Sequence, residues 1–145
     1  MIHAQNSKVL FSLDTSTTAS SGTANLVIDR LDYDYADVVV ARASNASTTF
    51  ASILKVQESD DNSTYTDITA FVGGGTGGFT IPTVTSTASV SAVKMGIDCR
   101  GRKRYLKVLV TPSTAVNVAI EARLFRGHIA PASATAAGVL AIVNG

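Results

Sequence analysis

The sequence predicts an all-β protein, a jelly-roll-like (Greek-key) antiparallel β-sandwich of about eight strands followed by an extended C-terminal tail. Three observations predict it. From Arg104 to Thr111, Leu106, Val108 and Val110 alternate with Tyr105, Lys107 and Leu109, and from Val116 to Arg126, Val116, Val118, Ile120, Ala122 and Leu124 alternate with Asn117, Ala119, Glu121, Arg123 and Phe125. That period of two belongs to a half-buried strand and not to a helix. Composition agrees: Val and Thr are abundant and Glu is confined to Glu58 and Glu121, and β-branched residues suit a pleated surface. Polar loops separate the apolar runs, and no stretch sustains a helical period. At 145 residues the chain reads as one sandwich domain over 1–128 and a C-terminal arm over 129–145. That length buries about 68 to 70 per cent of the surface an unfolded chain exposes.

The elements follow in order. Val9, Phe11 and Leu13 alternate with Lys8, Leu10 and Ser12, which predicts a first strand with the former three inward. A small polar loop from Thr15 to Thr23 leads to a short strand from Asn25 to Asp29, carrying Leu26 and Ile28. Tyr35 to Ala43 is apolar on both faces through Val38, Val39 and Val40, as in a central strand with cover on both sides. After the loop Ser44 to Thr49, Phe50, Leu54 and Val56 mark a strand ending at Glu58. Ser59 to Ser63 then reverses the chain into a strand from Thr64 to Phe71, anchored by Tyr65 and Ile68, because Asp and Asn accept the left-handed conformation and bond their own backbone.

Gly73 to Gly78 is expected to be an exposed loop of variable order. It lacks the Lys-Ser/Thr pair and the receiving helix of a phosphate loop. Val93, Met95 and Ile97 share one side of a strand over Val90 to Ile97. Because the Thr111 to Thr114 link carries turn residues and is too short for a crossover helix, the last two strands are expected to pair as a central hairpin. In the tail, Val139, Leu140, Ile142 and Val143 are apolar enough to require a surface to lie on.

Charge limits the function classes. A formal net charge of +1 is unlike the basic footprint of a nucleic-acid binder, so no nucleic-acid partner is expected. Asp29, Asp32, Asp34 and Asp37 are acidic early, while Arg100, Arg102, Lys103, Arg104 and Lys107 cluster late. Such asymmetry suits docking between copies or onto a partner, and it equally suits strand edges protected by charge. The single Cys99 excludes an internal disulfide, and as a small residue at a strand entrance it reads as packing. His3 and His128 stand far apart and no CxxC pair occurs, so no metal site is expected. Asp60, Asp61 and Asn62 suit a turn before they suit calcium. No base or paired carboxylates accompany a nucleophile, so neither an enzyme nor a cofactor is indicated. Met1 to Asn6 lacks the segments of a signal peptide, and the interrupted tail is too short to span a bilayer. The expectation is a soluble chain made in a cytoplasm, with no membrane partner.

Two segments carry a resemblance: Leu54-Lys55-Val56-Gln57-Glu58-Ser59-Asp60-Asp61-Asn62-Ser63-Thr64-Tyr65-Thr66-Asp67-Ile68, and later Arg104-Tyr105-Leu106-Lys107-Val108. This order, with a Tyr-rich entry before a Val-rich strand, resembles the capsid decoration (cement) proteins encoded beside the major capsid protein of tailed bacteriophages, over roughly Asp29 to Arg126. The resemblance implies a structural virion protein, a homotrimer on the capsid exterior that bridges major capsid protein subunits after synthesis in the bacterial host cytoplasm. On that reading Tyr33, Tyr35, Arg100, Arg102, Lys103, Arg104, Lys107 and the tail residues Val139, Leu140, Ile142 and Val143 are candidate subunit or capsid contacts. The same segments are similar to discoidin-like carbohydrate-binding sandwiches. That alternative wants exposed aromatics on loops, whereas Trp is absent and the Tyr residues fall at or inside predicted strands, so it stands second. A tail or fibre accessory protein is the third reading.

Overall fold

Alternating apolar residues become strands wherever a second sheet covers their inward face, and a computed structural model of the chain places nine among its described residues, which are 7–13, 22–84, 87–126 and 142–144. They are β1 (Ser7–Leu13), β2 (Ala24–Asp29), β3 (Tyr35–Arg42), β4 (Ile53–Ser59), β5 (Thr66–Val72), β6 (Ser91–Asp98), β7 (Tyr105–Thr111), β8 (Val118–Phe125) and β9 (Ile142–Asn144). One sheet has the order β1-β8-β3-β6-β9 and the other β2-β7-β4-β5. The first eight strands pair antiparallel in the order of a jelly roll, and β9 joins β6 in parallel. The predicted fold class is the observed one.

The core lies between the sheets. Ala36, Val38 and Val40 of β3, Val93, Met95 and Ile97 of β6, and Ile120, Ala122 and Leu124 of β8 face Ile28 of β2, Leu54 and Val56 of β4, and Leu106, Val108 and Val110 of β7, all buried. Each fully buried Val, Leu or Ile contributes about 1.5–3 kcal/mol. The turn after β4 is as expected, with Asn62 in the left-handed region at φ 57°, and β3 is central, between β8 and β6, but buried on one face and only half-buried on the other, where cover on both was expected.

Four expectations change. The last two long strands do not form a hairpin: β7 lies between β2 and β4 in one sheet, and β8 between β1 and β3 in the other. Each has a fully apolar face, and placing them in opposite sheets lets those faces meet across the core. Buried Pro112 starts the crossing, and it has no N–H to give a hairpin ladder.

The period of β1 is as read, but its phase is reversed. Val9, Phe11 and Leu13 are 57, 58 and 54% exposed, while Leu10 packs against the core. The ladder to β8 sets Val9 opposite Arg123, Phe11 opposite Glu121 and Leu10 opposite Ala122, and cross-strand partners share a face.

The Gly73 to Gly78 run is a tight turn. Gly74 N–H donates to Phe79 O at 2.8 Å, Gly78 N–H to Gly75 O at 3.1 Å and Phe79 N–H to Val72 O at 3.3 Å. Finally, Val143 is a core residue, 8% exposed, because β9 adds to the free side of β6 opposite Met95. It is therefore no contact for a neighbouring copy. Ile142 shares that strand, and Val139 and Leu140 lie outside the described residues.

Candidate functional site

The basic and acidic runs meet at one end of the sandwich, because β2 and β4 finish there, β3 and β7 begin there, and the β6–β7 turn closes it. One pair joins the two runs directly, and other carboxylates take up part of the basic run. Arg104 forks onto Asp29 at 3.1 and 2.8 Å, Arg100 onto Asp98 at 3.0 and 2.5 Å, and Lys103 reaches Asp60 at 2.9 Å. The Arg100 guanidinium and backbone N–H hold the Asp98 carboxyl down to about 2, and the Arg104 guanidinium lowers Asp29. These pairs are solvent-exposed, so water and salt screen them and they add little to stability. Arg30 donates to the carbonyls of Lys103 and Arg102, tying the β2–β3 connection to the β6–β7 turn. Of the two opposed runs read from the sequence, Asp29 and Arg104 are thus joined within one chain, while Asp37 pairs with Lys94 of β6 at 2.7 Å.

The tyrosines take part in the same arrangement. Arg126 lies 5.5 Å from the centre of the Tyr33 ring, Arg100 5.4 Å from Tyr35, Arg104 4.9 Å from Tyr105, and the Lys107 ammonium 4.2 Å from Tyr65. These four are all the tyrosines of the chain. A cation over an aromatic face adds about 0.5–1 kcal/mol where exposed, so one face of each ring is already occupied. Between the β2–β3 connection and the end of β8 lies an open cleft of about 330 Å³ lined by Arg30, Asp32, Tyr33, Asp34 and Arg126. Arg126 Nε donates to Asp32 O at 2.8 Å across its mouth, and Asp32 holds a left-handed φ of 69°. The lining is polar and charged, suited to hydroxyl-rich or zwitterionic groups.

Other sequence candidates have structural roles. Asp61 Oδ1 accepts from Ser59 Oγ at 2.8 Å, Ser63 N at 2.9 Å and Thr64 N at 2.8 Å, and those bonds hold its carboxyl down to about 2. Its oxygen is spent on the turn. Cys99 is buried, and burial pushes its thiol up to about 11, away from nucleophilic use. Among the described residues no group of three or more His, Cys, Asp or Glu is placed to hold a metal ion.

Two features were missed in the sequence. Arg42, 2% exposed, points inward at the other end of β3 and donates to Ser47 O at 2.6 Å, Thr49 O at 2.9 Å and Phe50 O at 3.4 Å. Its place in the inward parity of β3 is the signal that was available. The second is the outward face of β1, where Val9, Phe11 and Leu13 form a continuous apolar stripe on a strand that ends the sheet order.

No family model and no curated protein matches this chain. Among solved structures, the C-terminal family 22 carbohydrate binding module of Clostridium thermocellum Xyn10B is similar with a TM-score of 0.40 and 14% identity, over 86% of this chain and 84% of that one.

Proposed function

We propose that this chain is a non-catalytic structural protein that works by attachment and self-association, as a decoration protein on the outside of a bacteriophage head held against the major capsid protein. The observation that carries the reading is the β1 stripe. Three large apolar side chains, each more than half exposed, stand side by side on an edge strand, where soluble monomers usually place charge, a bulge or a covering segment. A surface of that kind is stabilised when a neighbour covers it. On a repeating shell, each linked contact raises the effective concentration of the next and slows release.

The test is co-sedimentation of the purified chain with shells assembled from the major capsid protein of the bacteriophage genome that carries its gene. Saturable binding, and greater resistance of the decorated shell to heat, are the expected results. Shells that bind no protein across a micromolar range would remove the reading.

A carbohydrate-binding role is the second reading, and the cleft at Tyr33 is the observation that favours it. It predicts a glycan-array signal that disappears in Tyr33→Ala. A gene position beside tail genes instead of capsid genes would favour a tail or fibre accessory role.

A further inference from the structure

We propose that β1 is a homotypic edge: two copies pair β1 to β1 antiparallel about a twofold axis at Leu10, fusing their five-stranded sheets into one continuous sheet. This rests on the self-association reading and supplies its partner, a second copy of this chain. The four edges of the sandwich are not treated alike. β9 is only three residues long, β5 has a register irregularity against β4 and places Asp67 beside Lys55, and β2 ends in the Asp29 to Arg104 pair. Short strands, bulges and charges are the devices that keep sheet edges apart. β1 has seven residues, an outward face of Val9, Phe11 and Leu13, and Lys8 as its one charged side chain.

The strand is self-complementary in that register. An isologous contact requires the same patch to fit itself. With Leu10 on the axis, all seven residues of each β1 lie opposite residues of the other, and Val9 of each copy faces Phe11 of its mate. Lys8 faces Ser12, so no like charges meet. The rows then extend into β8, where Arg123 stands opposite Val9 and Glu121 opposite Phe11. Each outward row therefore runs Arg123, Val9, then Phe11 and Glu121 of the second copy, apolar at the seam, with Arg123 and Glu121 ion-paired within their own chain at 2.6 Å. Three strand spacings of about 4.8 Å each separate these groups across the contact, so salt screens them from one another and the charges neither drive nor oppose it. Affinity comes from the cross-strand Val9–Phe11 pairs and the new backbone ladder.

Sedimentation equilibrium of the full chain, alongside Phe11→Arg, tests the contact. The expected result is a dimer whose dissociation constant rises at least about tenfold in Phe11→Arg, with an unchanged melting profile because position 11 is already exposed. Register is read separately by mixing a Val9→Cys chain with a Phe11→Cys chain, since the native Cys99 is buried. A mixed disulfide formed faster than either self-disulfide is expected, as directly opposed Cβ atoms lie about 4.5–5.5 Å apart. A native monomer, a trimer, or a dimer indifferent to Phe11→Arg overturns the proposal, and a preferred Phe11→Cys self-disulfide overturns the Leu10 axis. A monomer that still coats shells defeats the twofold contact and leaves the decoration reading standing. A dimer that ignores shells supports the contact and removes decoration.

Discussion

Arg42 sits in a position that alternation assigns to an apolar residue, directly after Ala36, Val38 and Val40 on the inward face of β3. Its burial is made tolerable by three carbonyl acceptors and by the Phe50 ring 5.8 Å away, and burial lowers its pKa without discharging it. The side chain thereby fastens the 43–52 connection over the end of the core. Arg42→Ala is expected to lower stability by about 2–4 kcal/mol in urea unfolding, since it empties a buried site and removes the donor from the buried Phe50 carbonyl, although Thr49 O keeps Ser113 Oγ at 2.7 Å. Arg42→Lys is expected to recover little, because one ammonium does not reproduce the planar fork. A loss below about 0.5 kcal/mol for Arg42→Ala would mean that water satisfies the carbonyls instead.

Asp61 gives the residue scale its pH dependence. Its folded pKa of about 2 lies below the ordinary carboxylate value, with the Thr64 N–H bond the largest cause. The contribution is therefore complete above about pH 4 and is lost as pH falls through the folded value. Amide exchange at Ser63 and Thr64 is expected to accelerate beyond the intrinsic pH trend between those limits. Equal protection at pH 5 and pH 1.5 would show that the turn stands without the carboxylate.

Among the elements, the β5 exit shows most clearly what composition conceals. Six residues containing five glycines look like a linker, yet Gly74 and Gly77 hold φ of 75° and 76° and the backbone closes on itself through Val72, Gly75 and Phe79. A Cβ on Gly78 would overlap the carbonyl oxygen of Val72, a collision that only backbone movement relieves. Gly78→Ala is expected to destabilise by at least about 1–3 kcal/mol, measured by thermal unfolding. Gly101, where an added Cβ would meet only open space, is the control and should tolerate alanine. Equal melting temperatures for the two variants would refute the steric account.

For the molecule as a whole, charge and apolar surface divide the labour. Asp29 and Asp60 meet Arg104 and Lys103 from far along the chain at one end of the sandwich, and Asp98 pairs with its near neighbour Arg100, so part of the charge that the sequence clusters is compensated within the fold. Among the described residues, three of the six large exposed apolar side chains share β1, while Leu31, Ile53 and Val90 stand apart from it. Removal of residues 130–145 would be a poor test of attachment, because it also strips β9 and the core residue Val143. Substitution at Phe11 leaves the sandwich intact and changes only the outward face.

Local pattern was enough to set the period of nearly every strand, the all-β class and the turn chemistry after β4, since these depend on neighbours a few residues away. The inward residues of β4, β6, β7 and β8 were legible because each strand has one face that is more apolar than the other, whereas β3 reads as apolar on both faces and only the fold buries its Ala36, Val38, Val40 and Arg42 side. Contacts distant in sequence settled the rest. In β1 both parities contain a large apolar side chain, so only the register against β8 chose Leu10 for the core and left Val9, Phe11 and Leu13 outside. Likewise a short polar link reads the same whether it turns within a sheet or crosses between two, and the crossing won because it buries the apolar faces of β7 and β8 against each other. Those two long-range choices placed the exposed stripe, and with it the proposed contact surface, where no local pattern could.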